Sequence, residues 1–104
     1  DGLRRSMILL GLVLAAAPAQ AIDKGVMDEL ILQCESCHGI DGQSVAAEVP
    51  ALAGKSEKYL KTQIQNFQSG KREHEIMYIM GRRLSPEETN AIARYYSRIP
   101  RQPR

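Results

Sequence analysis

An all-α domain is what this sequence predicts. Three observations carry the expectation. No stretch alternates apolar and polar residues in the way a half-buried strand does. Apolar residues recur at helical spacing in three separate segments. Each of those segments opens on Asp23, Ser56 or Ser85, the residue types that cap helix N-termini. At 104 residues the chain is one domain at most. Hydrophobic residues at 43% and charged residues at 25% exclude a disordered polyelectrolyte, a collagen and a multi-span membrane protein. Two cysteines cannot make a disulfide-dense scaffold. A net charge of +2 is too weak to argue for nucleic acid, and no nucleic-acid partner is expected.

Residues 1–21 read as a signal peptide. Arg4 and Arg5 precede the apolar run Met7–Ala17, and small residues at Ala19 and Ala21 mark a cleavage site. The run is shorter than the ~20 apolar residues that span a bilayer. Cleavage is therefore expected rather than a retained membrane anchor, with the mature chain starting near Ile22. That predicts export to a bacterial periplasm or an equivalent space, with residues 22–104 as the single folded domain. Membrane association is expected only if the segment is retained.

Along that domain the elements follow in order. Residues 23–36 read as a helix capped by Asp23, with Val26 and Leu30 near helical spacing. Gly39 to Gly54 is rich in turn residues and has no period, so a long loop is expected, functional or packed on a ligand. Ser56 caps a second helix to about Gln68, with Tyr59, Leu60, Gln63, Ile64 and Phe67 on one face and Gly70 as its stop. Residues 71–83 fit no single pattern: a charged patch, then Ile76-Met77-Tyr78-Ile79-Met80. Ser85-Pro86-Glu87-Glu88 spells a capping box with proline at the first helical position. Ile92, Tyr95, Tyr96 and Ile99 supply the apolar side of that last helix, and Pro100 is expected to end it.

Charge and core volume add two constraints. Residues 22–54 carry six acids against Lys24 alone, whereas residues 55–104 carry eleven bases against five acids. With one Phe and no Trp, the mature chain is short of large aromatics to fill a core. Small domains in that position are completed by a disulfide, a metal or a prosthetic group.

The chemistry sits in Cys34-Glu35-Ser36-Cys37-His38, the C-x-x-C-H signature of c-type haem attachment. Two thiols three residues apart at a helix end can reach the two vinyl groups on one porphyrin edge. The adjacent imidazole then lies under the iron and ligates it through Nε2. Rival readings explain less. A redox-active C-x-x-C belongs beside a βαβ pattern, which is absent. A structural zinc site needs four ligands, and only His74 remains after Cys34, Cys37 and His38. A plain disulfide leaves His38 unexplained. For a sixth iron ligand the candidates are Met27, Met77, Met80 and His74. Met27 lies on the attachment helix itself and cannot easily cross the ring. Met77 and Met80 lie far enough along the chain to return to the other face. A thioether ligand favours ferrous iron and raises the potential, which suits a carrier. The plain alternative for a methionine is an adaptable core filler.

These residues resemble the class I cytochromes c, and most of all the short bacterial periplasmic type. That group includes single halves of tandem dihaem cytochromes and the haem subunit of flavocytochrome c sulfide dehydrogenase. The resemblance runs from about Asp23 to Ile99. It is carried by Cys34–Gly39, Asp41-Gly42, Val49–Gly54, Tyr59-Leu60, Phe67, Ser69-Gly70, Arg72, Ile76-Met77, Met80, Leu84-Ser85 and Tyr95-Tyr96. It implies a cytochrome c fold, three to four helices wrapped around one covalently bound haem. It implies Cys34 and Cys37 as the thioether residues, His38 as proximal ligand and Met77 as axial ligand, with Met80 packing. Pro50 matches the proline whose carbonyl accepts from the proximal imidazole. Leu52 and Gly54 match residues lining the haem pocket. Arg72 matches a basic position near the propionates, the alternative being a solvated charge. Gly25 and Val26 with Tyr95 and Tyr96 match the crossing of first and last helices. The pattern departs at Glu75, where many relatives carry proline.

A haem held on both sides has no open position for substrate, so one-electron transfer is expected rather than catalysis. The expected protein is a periplasmic carrier between redox partners, a dehydrogenase, a flavoprotein subunit or a terminal oxidase. The basic second half could steer an acidic partner. The alternatives are a permanent haem subunit of a dehydrogenase complex such as flavocytochrome c sulfide dehydrogenase, and a haem enzyme or gas sensor with a labile sixth ligand.

Overall fold

A computed structural model describes residues 22–103, so the expected signal peptide lies outside the described residues. Helix α1 spans Lys24–His38. The Asp23 carboxylate caps it, accepting from the Gly25 and Val26 amides at 3.0 and 3.4 Å. The helix continues past residue 36, so its last turn holds both cysteines and His38. It stops at Gly39, whose φ of 86° an L side chain rarely adopts.

Helix α2 spans Glu57–Ser69, with Ser56 Oγ accepting from the Tyr59 amide at 3.0 Å and Gly70 closing it in the left-handed region. Helix α3 spans Glu75–Arg82, in the stretch where no period was legible. Its cap is His74, whose Nδ1 accepts from the Met77 amide at 3.2 Å. Histidine is not among the usual capping residues, which is why this start is not readable from residue type. Helix α4 spans Pro86–Ser97 and has the predicted box: Ser85 Oγ accepts from the Glu88 amide at 3.0 Å, and Glu88 Oε1 accepts from the Ser85 amide at 2.9 Å. It ends at Ser97 with Arg98 as its cap, two residues before Pro100, which cannot continue it, and beyond it the Ile99 carbonyl accepts from the Gly54 amide at 2.9 Å. No strand occurs among the described residues, so the fold is all-α.

Helix α2 packs on α3 and α4, and α1 rests on α4. The buried centre is Leu60 from α2 with Ile92, Ala93 and Tyr96 from α4. Helix α1 presents Met27, Leu30, Ile31 and Cys34 to this centre, all of them only partly buried. The crossing with α4 therefore runs through those residues and not through the expected Gly25 and Val26. A Cβ at Gly25 would meet only its own capping carboxylate, and Val26 is exposed. One side chain joins the other three helices: Gln68 Nε2 donates to the Gly81 carbonyl at 2.8 Å and to Thr89 Oγ1 at 3.2 Å.

The long loop is ordered by a few bonds. A short 3-10 turn, Ile40–Gly42, leads into it. The Gly42 carbonyl accepts from the Leu52 and Ala53 amides at 2.9 and 3.1 Å, which folds the loop back on itself. The Tyr96 ring presses against Gly42, where φ is 68° and an added Cβ would meet ring carbons at 2.7 and 2.9 Å. The tail is clipped to the same loop. Gln43 Nε2 donates to the Pro100 carbonyl and Gln43 Oε1 accepts from the Gln102 amide, both at 2.9 Å.

These two glycine positions make a measurable contrast. At Gly70 nothing lies within 4 Å of a built Cβ, so Gly70→Ala should lose only the left-handed preference, roughly 1–2 kcal/mol. Gly42→Ala should lose that and a further ~1–3 kcal/mol from collision with Tyr96. Denaturant unfolding of the two variants checks the order.

Candidate haem site

The last turn of α1 projects Cys34 and Cys37 from neighbouring positions on one face, because residues three apart on a helix lie side by side. Both thiols are free, Cys34 half-buried against the core and Cys37 exposed. Burial pushes the Cys34 thiol up to about 11, with the neighbouring Tyr96 hydroxyl acting in the opposite sense. Glu35, between the two cysteines, braces the turn that follows: its Oε2 accepts from the Asp41 amide at 3.0 Å, and Asp41 sits in the left-handed region with φ 56°.

His38 is oriented from the loop. Its Nδ1 lies 2.7 Å from the Pro50 carbonyl oxygen. A carbonyl can only accept, so Nδ1 carries the proton and Nε2 keeps a lone pair for a metal. The loop is held in place for this contact. The Ser44 amide donates to the His38 carbonyl at 2.8 Å, and the buried Ser44 hydroxyl donates to the Val49 carbonyl at 2.5 Å. Val49-Pro50 is thus tied to the end of the helix that ends in His38. Leu52 follows, partly buried against the core.

The structure therefore gathers Cys34, Cys37, His38, Pro50 and Leu52 around the end of α1. Met77 and Arg72 come from a different part of the chain. Met77 lies on α3, partly buried, with Met80 one turn on and equally partly buried. Helix α3 packs on α2. Arg72 is exposed: its guanidinium donates to Gln63 Oε1 at 3.0 Å and lies over the Phe67 ring at 4.7 Å. Gly54 meets the C-terminal segment, its built Cβ 2.8 Å from Arg101 Cβ. His74, the cap of α3, also sets its ring edge-on to Phe67 at 6.3 Å. Residue type gave no signal for Glu35, Ser44 or His74, since each acts through a backbone amide or carbonyl brought close by folding.

The donor set fits a covalently attached haem. It offers two unpaired thiols at the required spacing, an imidazole with its proton on the far nitrogen, and thioethers on a separate helix. Large apolar side chains stand exposed on both parts of the chain that carry these donors, Ile40 at 77% just after α1, and Ile76 at 58% and Ile79 at 48% on α3. Zinc fits less well: among the described residues no three His, Cys, Asp or Glu side chains converge as a metal cage.

The model of the cytochrome c family matches residues 24–98. This chain belongs to the cytochrome c family. The cytochrome is 34% identical over 79 residues, 73% of its length, to the thiosulfate dehydrogenase electron acceptor of Stutzerimonas stutzeri, and spans 37% of that protein. It is 32% identical over 89 residues to the cytochrome subunit of sulfide dehydrogenase of Chlorobaculum tepidum, covering 85% of this chain and 80% of that one. It is 37% identical over 78 residues to cytochrome c-554(548) of Halomonas halodenitrificans, covering 72% of this chain and 94% of that one. The cytochrome binds haem c covalently, and Cys34 and Cys37 stand at the spacing that attachment requires.

Capping by His74 is open to direct measurement. His74→Ala removes the acceptor for the Met77 amide and should lower stability by about 1 kcal/mol, whereas His74→Asn, which can accept in the same place, should recover most of it. Thermal unfolding of the holo-cytochrome compares the two.

Proposed function

We propose that this cytochrome is a periplasmic one-electron carrier whose haem iron is ligated by His38 and Met77. The observation that carries the reading is the 2.7 Å bond from His38 Nδ1 to the Pro50 carbonyl, which leaves Nε2 as the metal-facing nitrogen. When bound, haem supplies a single reversible electron at nearly constant geometry. The chain's own residues do the rest. Cys34 and Cys37 fix the ring to α1. Pro50 sets the imidazole's rotation and strengthens it as a ligand. Leu52 packs between loop and core, and Arg72 would be the basic residue available to a propionate. Met77 would supply a thioether to the iron and so keep water and small ligands off it, with Met80 packing one turn away.

Export rests on the Arg4-Arg5, Met7–Ala17 and Ala19-x-Ala21 pattern. No helix among the described residues is long and apolar enough to cross a membrane. Redox proteins are the partners this reading requires, met through small transient interfaces steered by charge. A second reading, a haem subunit docked permanently on a dehydrogenase, draws support from the sulfide dehydrogenase cytochrome subunit, which this chain matches over most of its length. Isolation from native cells separates the two, as a free small cytochrome or one bound to a large flavoprotein.

The ligand assignment has its own test. Met77→Ala should abolish the weak red charge-transfer band that reports sulfur–iron ligation in ferric haem, while Met80→Ala should keep it. Met77→His should restore six-coordination at a lower potential. Retention of the band in Met77→Ala would overturn the assignment.

A further inference from the structure

Tyr96 is the most deeply enclosed large side chain of the domain, at 0% exposure. Three neighbours hold its ring: Gly42 beneath it, the Tyr95 ring edge-on at 5.0 Å, and the core of Leu60, Ile92 and Ala93. Such a residue has little freedom to turn. Yet its hydroxyl is fully buried and has no hydrogen-bond partner, the only such side-chain atom among the described residues. An unpaired buried hydroxyl is destabilising, and a phenylalanine at the same place would avoid that cost.

The half-buried Cys34 packs against this same core from α1. We propose that Tyr96 is a positioning residue for the haem: its hydroxyl donates a hydrogen bond to the Cys34 sulfur once that sulfur is a thioether. As a thiol, Cys34 can both donate and accept, so nothing forces the phenol proton in one direction. Attachment removes the sulfur's proton and leaves an acceptor only. The phenol must then be the donor. Burial pushes Tyr96 far up from the usual tyrosine range, so it keeps its proton at every working pH.

Two consequences follow from the placement. The bond fixes one corner of the ring to α4, so the haem is tied to both α1 and α4 rather than to its attachment helix alone. The positive end of the O–H dipole also faces the porphyrin edge. It disfavours the additional positive charge of ferric haem and so raises the potential.

The inference rests on haem attachment at Cys34, which the mass of the denatured holo-cytochrome tests separately. The decisive measurement is resonance Raman of the haem C–S stretching mode in wild-type holo-cytochrome and in Tyr96→Phe, each fully exchanged into H2O and into D2O. The expected result is a C–S mode that shifts in D2O for wild type and loses that shift in Tyr96→Phe, with a fall in midpoint potential. A mode insensitive to solvent in wild type would overturn the proposal. A potential shift without a solvent-sensitive mode would overturn it too, because simple repacking gives that result. If Tyr96→Phe does not mature, the wild-type comparison in the two solvents decides alone.

Discussion

The bond between His38 and the Pro50 carbonyl is the interaction on which the rest of the molecule depends. An imidazole at the last position of a helix is free to rotate, and a rotating ring cannot present one nitrogen to a metal. Pinning Nδ1 at 2.7 Å removes that freedom and chooses the tautomer. The cost is a loop of some length, because the carbonyl must come from outside the helix. The stretch from Gly39 to Gly54 supplies it. Its glycine turns, its buried serine and its fold around the Gly42 carbonyl are means of delivering one oxygen to one nitrogen.

The same requirement explains a core that is small and off-centre. Among the described residues the buried cluster is Leu60, Ile92, Ala93 and Tyr96, on the α2–α4 side, while α1 buries no residue fully. In an ordinary helical domain such an exposed first helix would be a weakness. Here its last turn carries the cysteines, and the covalent group supplies apolar area that the side chains do not. The exposed Ile40, Ile76 and Ile79 are consistent with that division of labour.

How much of this could be read from residues alone depended on the range of the interaction. Helices α2 and α4 were legible because their caps and stops are local: Ser56 and Gly70, Ser85 and Glu88 act within a few positions. Helix α3 was not, because its cap is a histidine and its apolar run is too short for a clear period. The end of α4 is local as well: Pro100 stands two residues beyond the Arg98 cap and cannot continue the helix. In the site, C-x-x-C-H is legible because attachment chemistry demands those residues at that spacing. The proline came with the family resemblance, and its carbonyl is where that resemblance points. Glu35, Ser44 and Gln43 were silent, since a side chain bonding to backbone leaves no pattern in composition.

The clip at Gln43 has a consequence for how the protein is handled and how it diverges. Arg101 and Gln102 close on Gln43, whose neighbour Ser44 grips both the His38 and Val49 carbonyls. Arg101 and Gln102 are thus in series with the imidazole through hydrogen bonds alone. A substitution that breaks this clip therefore bears on the orientation of the His38 ring although it lies beyond α4.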